Sequence, residues 1–177
     1  MNFQPTTRHR IRELRYVVIA LTALTFLAAG GRRFPPVIVW NASPSVPVGL
    51  YWIANQPVAR GQLALIKLPS EIAMFANVRG YLPASVDLLK PIAAVGGDRV
   101  CRIASVVTVN GRTIAFASVV DSAGRRLPRW QGCSVLRDGQ FFVLAARHGS
   151  FDGRYFGVLT VNNIVGRAHA IWITMAR

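Results

Sequence analysis

Lysine is nearly missing from this chain: only Lys67 and Lys90 stand beside 19 arginines. Any chemistry that needs a primary amine therefore has two candidates. Acidic residues are also scarce, with seven Asp plus Glu against 21 Lys plus Arg, a net charge of +14. Cysteine is limited to Cys101 and Cys133, and histidine to three positions. A tetrahedral zinc site needs four ligands, and neither His148 nor His169 has a close partner at ligand spacing. No internal repeat, coiled-coil period or zinc-finger pattern is visible, and no cofactor or metal is expected. Hydrophobic residues make up 52% and charged residues 16%, which excludes a disordered chain.

The positive charge is uneven. Residues 1–33 carry six Arg and one Glu, a net +5, and residues 34–177 carry 15 bases and six acids, a net +9. Such a field attracts nucleic acid, anionic lipid or acidic protein. Beyond the N-terminus the bases do not cluster with aromatics, and no base-reading motif occurs, so no nucleic-acid partner is expected.

Arg8, Arg10, Arg12 and Arg15 precede an uncharged stretch from Tyr16 to Gly31, and Arg32 and Arg33 follow it. Sixteen residues span about 24 Å as a helix, at ~1.5 Å each, somewhat short of a ~30 Å hydrocarbon core. Flanking arginines can snorkel to close the gap. The expectation is a single-pass anchor with residues 1–33 as cytoplasmic tail and membrane segment, in contact with inner-membrane lipid. The arginine bias then keeps the N-terminus cytoplasmic and places residues 34–177 in the periplasm. A cleaved signal peptide ending near Ala28–Gly30 is the competing reading. In an oxidising compartment Cys101 and Cys133 can close a disulfide; two buried free thiols are the alternative.

From Phe34 onward the pattern is mostly short strands. Expected strands are Val37–Trp40, Gly49–Ala54, Gln62–Leu68, Leu88–Val95, Phe141–Ala145 and Ile164–Thr174. A helix is expected from Ile72 to Arg79, with Ser70 as N-cap and Gly80 as stop. Two long strands, Arg99–Asn110 and Arg112–Val120, flank the hairpin signal Asn110-Gly111. Residues 121–139, rich in Arg, Gly and Ser, are expected to be a loop or inserted flap. The fold class is mainly β, all-β or α+β.

Three segments carry chemistry. In Asn41-Ala42-Ser43-Pro44-Ser45-Val46-Pro47, prolines hold both serines in stiff, extended backbone; Ser-Pro pairs also simply initiate turns. Lys90 lies in the apolar run Leu88-Leu89-Lys90-Pro91-Ile92. On an edge strand it would discourage aggregation. Buried, it would lose charge, its pKa falling from ~10.4 toward ~7–8, which makes a general base. The third segment is Ser150-Phe151-Asp152-Gly153-Arg154-Tyr155-Phe156-Gly157, which alone reads as a turn with an Asp–Arg pair.

Taken in order, Ser45-Val46-Pro47-x-Gly-Leu-Tyr, Arg79-Gly80-Tyr81-Leu82-Pro83, Leu88-Leu89-Lys90, Gly97-Asp98-Arg99-Val100 and Ser150-x-Asp152-x-Arg154-Tyr155-Phe156-Gly157 resemble the TraF-type conjugative transfer peptidases. These belong to the type I signal peptidase family of Ser–Lys proteases. The resemblance covers essentially the whole chain and implies a signal-peptidase-like β-rich catalytic domain. It implies Ser45 as nucleophile, Lys90 as general base, Ser43 as an oxyanion-binding hydroxyl, and Ser150, Asp152 and Arg154 as support around the lysine. Gly153 departs from the family, which usually has Ser there, and the Asn of the wider family's Gly-Asp-Asn motif is absent.

The activity implied is a membrane-anchored serine endopeptidase acting on an exported precursor, propilin in conjugative transfer, with a hydrolysed or a cyclic product. Substrate is expected to lie as an added strand between the segments around Tyr51 and Leu82–Leu88, with Tyr51, Leu82 and Leu88 in contact with it. A bare carboxylate on Lys90 would favour the ammonium, so Asp152 is expected to pair with Arg154 while Ser150 meets the amine. A non-catalytic, membrane-tethered assembly subunit of a conjugation or secretion apparatus is the alternative. A self-cleaving repressor of related fold would need an N-terminal helix-turn-helix, which residues 1–33 do not offer.

Overall fold

Alternation of inward and outward side chains builds the sheet that carries the candidate site. A computed structural model describes residues 38–174 together with Val18. The chain divides between Phe34 and Pro35 into two units, and the elements below belong to the second. The expected anchor, Tyr16–Gly31, lies outside the described residues apart from Val18. Among the described residues no helix is long and apolar enough to cross a membrane.

The strands are β1 (Ile38–Asn41), β2 (Gly49–Ala54), β3 (Leu63–Ile66), β4 (Leu88–Val95), β5 (Arg99–Ile103), β6 (Val106–Val109), β7 (Arg112–Phe116), β8 (Gly132–Val135), β9 (Gln140–Val143), β10 (Leu159–Thr160) and β11 (Ile164–Ile173). Helix α1 spans Ser70–Val78 and the one-turn helix α2 spans Gly153–Phe156. A seven-stranded sheet runs β1-β2-β11-β3-β4-β9-β10, and a four-stranded sheet runs β7-β6-β5-β8. The fold is mainly β, as the sequence pattern indicates.

Both faces of the larger sheet are buried at its centre. Ala64 and Ile66 of β3 pack in one cluster with Leu88, Ile92, Phe141 and Val143, while Leu65 and Leu89 pack in another with Val46, Tyr51 and Ile53. Adjacent residues thus feed opposite cores, the period-2 rule of a strand. A third cluster, around Val100, Val107, Leu136 and Phe142, joins the smaller sheet to the larger. Pro91 interrupts β4 although that strand has partners on both sides. A proline there removes a ladder donor, and the β4–β9 register slips between Ile92 and Ala94, just beyond it.

Three local expectations need correction. Ser70 is not the N-cap of α1: Pro69 holds that position in extended backbone, φ −52° and ψ 146°, and no side chain caps the helix. Residues 99–110 are two strands, because Ala104 takes a left-handed φ of 53° and turns β5 back into β6. The Asn110-Gly111 hairpin forms as expected, with φ of 51° and 79°. Finally, residues 121–139 are not loop throughout. Residues 132–135 form β8, which pairs with β5 in register Cys101↔Cys133. All four residues of β8 are exposed, so no hydrophobic alternation marks it.

The two cysteines form a disulfide across that pair, with Cα atoms 4.0 Å apart and a separation of 32 positions in sequence. Closing a loop of this size stabilises the fold by about 3–4 kcal/mol on the chain-entropy account. Cys101→Ser/Cys133→Ser is expected to unfold at correspondingly lower denaturant, with the slope of the transition rising as the unfolded chain expands. An equilibrium guanidinium titration checks this.

Candidate active site

The serine segment is built by β1 and β2. These strands pair in antiparallel register Asn41↔Gly49, so residues 42–48 form the loop that joins them. Asn41, 8% exposed, organises it: Nδ2 donates to the carbonyls of Ser43 (2.8 Å), Val46 (3.2 Å) and Pro47 (3.0 Å). Its Oδ1 accepts from the Ser43 N–H at 3.2 Å. Sequence reasoning missed this residue, though an Asn at a strand end before Ser-Pro is a familiar turn organiser.

Tyr51 is a further correction. It is fully buried in the core and does not line the groove beside Ser45. Its hydroxyl donates to the Pro47 carbonyl at 2.7 Å, bracing the loop from beneath. The reason is its parity on β2, which points it inward with Ile53 while Trp52 faces out.

Lys90 reaches the loop from β4. Its side chain lies on the buried face shared with Leu88 and Ile92, and the residue is 3% exposed. The proline after it keeps its backbone extended. Nζ lies 2.5 Å from Ser45 Oγ and 2.8 Å from Ser150 Oγ. Ser43 Oγ is 3.1 Å from Ser45 Oγ, and the Ser45 N–H makes a long contact to it at 3.5 Å. Four polar groups from three parts of the sequence thus converge on one point.

The third part is the segment leading into α2. Asp152 caps that helix, accepting from the Arg154 N–H at 3.1 Å, and also accepts from the Ala145 N–H at 3.0 Å. The Arg154 guanidinium forks onto the same carboxylate, Nε at 2.9 Å and Nη2 at 2.8 Å. Both residues are buried, at 0% and 1% exposure. Arg154 further donates to the carbonyls of Ala145 (2.6 Å), Arg147 (2.9 Å) and His148 (3.3 Å), which shapes the loop presenting Ser150. Phe151 lies between, its ring stacked on Tyr155 at 6.0 Å and on Phe75 of α1 at 5.9 Å.

Electrostatics follow from this packing. Burial lowers the pKa of Lys90 to about 8; Asp152 opposes the shift and Arg154 assists it. Because Arg154 neutralises Asp152 directly, the carboxylate cannot restore the full basicity of the amine. At pH above about 8 Lys90 is neutral and can accept a proton from Ser45.

A cavity of about 700 Å³ opens over these groups. Its walls include Leu82 and Leu88, Ser43, Ser45, Lys90 and Ser150, and also Asp87, Asp121 and Arg147. Leu82 and Leu88, the expected substrate contacts, line this cavity. The outer wall is clipped shut: the Tyr81 hydroxyl donates to Asp121 Oδ2 at 2.5 Å, and Arg125 Nε donates to the same atom at 2.7 Å. The Tyr81 hydrogen bond leads the interactions that hold the Asp121 carboxyl well below the usual range.

A mainly β unit thus brings a buried amine onto a serine hydroxyl. The profile of the family described as signal peptidase, peptidase S26, matches residues 10–173, and the chain belongs to that family. Relatives include two Escherichia coli proteins named plasmid transfer protein TraF. One is 35% identical over 84% of this chain and 88% of its own length, the other 31% identical over 87% and 92%. The conjugal transfer protein TraF of Agrobacterium fabrum is 31% identical over 92% of this chain and 94% of its own. A signal peptidase I crystal structure from Enterococcus faecalis aligns at 15% identity with a TM-score of 0.38, over 64% of this chain and 98% of that one.

Gly153 has a physical reason in this chain. A Cβ there would lie 2.6 Å from Phe142 Cε2 and 2.6 Å from the Val143 carbonyl oxygen. Gly153→Ser is therefore expected to destabilise the protein by about 1–3 kcal/mol through overpacking. Phe142→Leu should recover part of that loss in the double variant. Thermal unfolding of the four chains checks the coupling.

Proposed function

We propose that the protein is a membrane-anchored serine endopeptidase that processes an exported precursor by Ser–Lys acyl transfer. The observation that carries this reading is the Lys90 amine, buried with a lowered pKa, 2.5 Å from Ser45 Oγ. A serine hydroxyl becomes a useful nucleophile only when a base takes its proton, and a neutral amine suffices.

In the first step Ser45 Oγ attacks the scissile carbonyl while Lys90 Nζ takes the hydroxyl proton. The tetrahedral oxyanion is received by the Ser45 N–H and the Ser43 hydroxyl, where one such donor is worth about 3 kcal/mol. Lys90 then gives its proton to the leaving amine, and the acyl-enzyme remains on Ser45. Water as second nucleophile gives hydrolysis; the substrate's own N-terminal amine gives a cyclic product. Ser150 keeps the amine aimed at Ser45, and the Asp152–Arg154 pair holds Ser150 in place. The cavity bounded by Leu82 and Leu88 suits an extended peptide.

The conjugation setting is supported by the relatives named for plasmid and conjugal transfer; the substrate we propose is propilin. The arginine-flanked run Tyr16–Gly31 supports an inner-membrane anchor with the catalytic part in the periplasm. The disulfide fits an oxidising compartment. Exposed Trp40, Trp52 and Trp172 suit a site that works at a membrane surface.

Ser45→Ala and Lys90→Ala are each expected to abolish precursor processing, followed by mass spectrometry of the product, while both variants stay folded. Wild-type turnover should climb with pH through about 8, because only the deprotonated amine is competent. Lys90 also predicts the sign for stability. Its folded pKa lies below the unfolded value, so the penalty for burying the ammonium is full below pH 8 and fades toward ~10.4. Undiminished processing by Ser45→Ala would leave the chain as a tethered assembly subunit.

A further inference from the structure

Helix α2 has four residues, too few to satisfy its own backbone. Asp152 serves its N-terminal end. Two side chains from distant segments donate to the carbonyls of its first two residues. Trp130 Nε1 donates to the Gly153 carbonyl at 2.9 Å, and Arg102 Nη1 donates to the Arg154 carbonyl at 2.5 Å. Arg102 comes from β5 of the smaller sheet, and Trp130 from the segment just before β8.

Arg102 is unusual in its setting. It is 3% exposed, and among the described residues no carboxylate lies within ion-pair distance of it. Its other partner is again a carbonyl, that of Ala104 at 3.4 Å. Burial, with Arg129 nearby, lowers its basicity. Burying an arginine without a counter-ion is costly. An apolar residue would fill the space without that cost, but could not donate to Arg154. The Cys101–Cys133 disulfide fixes the same two segments, one residue before Arg102 and three after Trp130.

We propose, building on the Ser–Lys reading above, that Arg102 is a positioning residue for Lys90, acting with Trp130 through helix α2. Holding the Arg154 carbonyl keeps the Arg154 guanidinium on Asp152 and Ser150 on the Lys90 amine. When α2 loosens, water reaches Lys90 and Asp152 is less well neutralised, and both changes favour the ammonium. The charged groups nearest the amine are Asp152 and Arg154; Asp87, Asp121 and Arg147, with Tyr155, line the same cavity. A residue that only supported the smaller sheet would change stability and leave the amine's titration where it was.

With only two lysines in the chain, the titration can be read directly. The full-length protein, in detergent micelles and carrying ¹³C-labelled lysine, gives two Cε signals, and Lys90→Met identifies which is Lys90. The expected wild-type midpoint is near 8. Arg102→Met should raise it by about one unit or more, a tenfold rise in proton affinity. Arg102→Gln, which keeps a donor for the Arg154 carbonyl, should stay nearer wild type, and Trp130→Phe should raise the midpoint by a smaller step. A cooperatively folded Arg102→Met chain whose Lys90 still titrates near 8 overturns the proposal. If Arg102→Met does not fold, Trp130→Phe decides: a raised midpoint supports the proposal and an unchanged one overturns it. A wild-type Lys90 midpoint near ~10.4 would instead overturn the base assignment itself.

Discussion

Everything at this site depends on an amine kept out of water without being given a counter-ion of its own. The partners of Lys90 Nζ are two hydroxyls, Ser45 and Ser150, at 2.5 and 2.8 Å. Hydroxyls can serve a neutral amine as well as an ammonium and carry no charge to hold the proton, so burial sets the balance toward the neutral form. A carboxylate in the place of Ser150 would reverse it. The nearby carboxylate, Asp152, is consequently the group that needs the most attention from the fold, and it receives two backbone N–H groups and a forked guanidinium. Arg154 in turn spends its remaining donors on three loop carbonyls. Compensation is passed outward from lysine to carboxylate to arginine to backbone, and no member of the chain is left unpaired. Buried charge is tolerable only on those terms.

The two sheets divide this work. The larger sheet supplies the paired amine and hydroxyl, because β4 carries Lys90 and the β1–β2 loop carries Ser45. Rigidity of that loop comes from neighbours as well as its own prolines: Asn41 gathers three of its carbonyls and Tyr51 holds a fourth contact from below. The smaller sheet carries neither Ser45 nor Lys90. Its contacts reach α2 through Arg102 and Trp130, which donate to the Arg154 and Gly153 carbonyls. The short helix is thus held by side chains from outside it at Gly153 and Arg154, and by Asp152 at its N-terminus.

Much of the strand pattern was legible because it rests on local rules. β2 and β4 announce themselves by β-branched and apolar runs, and Asn110-Gly111 by the two residues that most readily take positive φ. The break at Ala104 was not legible, since alanine carries no signature of a left-handed turn. β8 was hidden for a related reason: its order comes from the β5 ladder and the disulfide, not from its own Gly-Cys-Ser-Val composition. Helix α2 is too short for any periodicity. The Ser45–Lys90 pair was legible only through resemblance, because two residues 45 positions apart leave no spacing rule between them. Tyr51 was misplaced on proximity to the motif, where the parity of β2 would have turned it inward.

Gly153 shows how a position can be fixed in place without a side chain of its own. A hydroxyl-bearing side chain at this point would need room on the face where Phe142 and the Val143 carbonyl lie. Phe142 is fully buried at the junction of the two sheets, and Trp130 meets it edge-on at 6.1 Å. The same indole donates to the Gly153 carbonyl, which also accepts from the Gly157 N–H at 3.0 Å. The position thus takes its anchorage from its own backbone oxygen and from an aromatic packed against its Cα. The close approach excludes a Cβ, and the donated hydrogen bonds supply the fixation that a side chain there would otherwise provide. Glycine at 153 and the presence of Phe142 and Trp130 are therefore one packing solution, and substitution at any of the three should be felt at the other two.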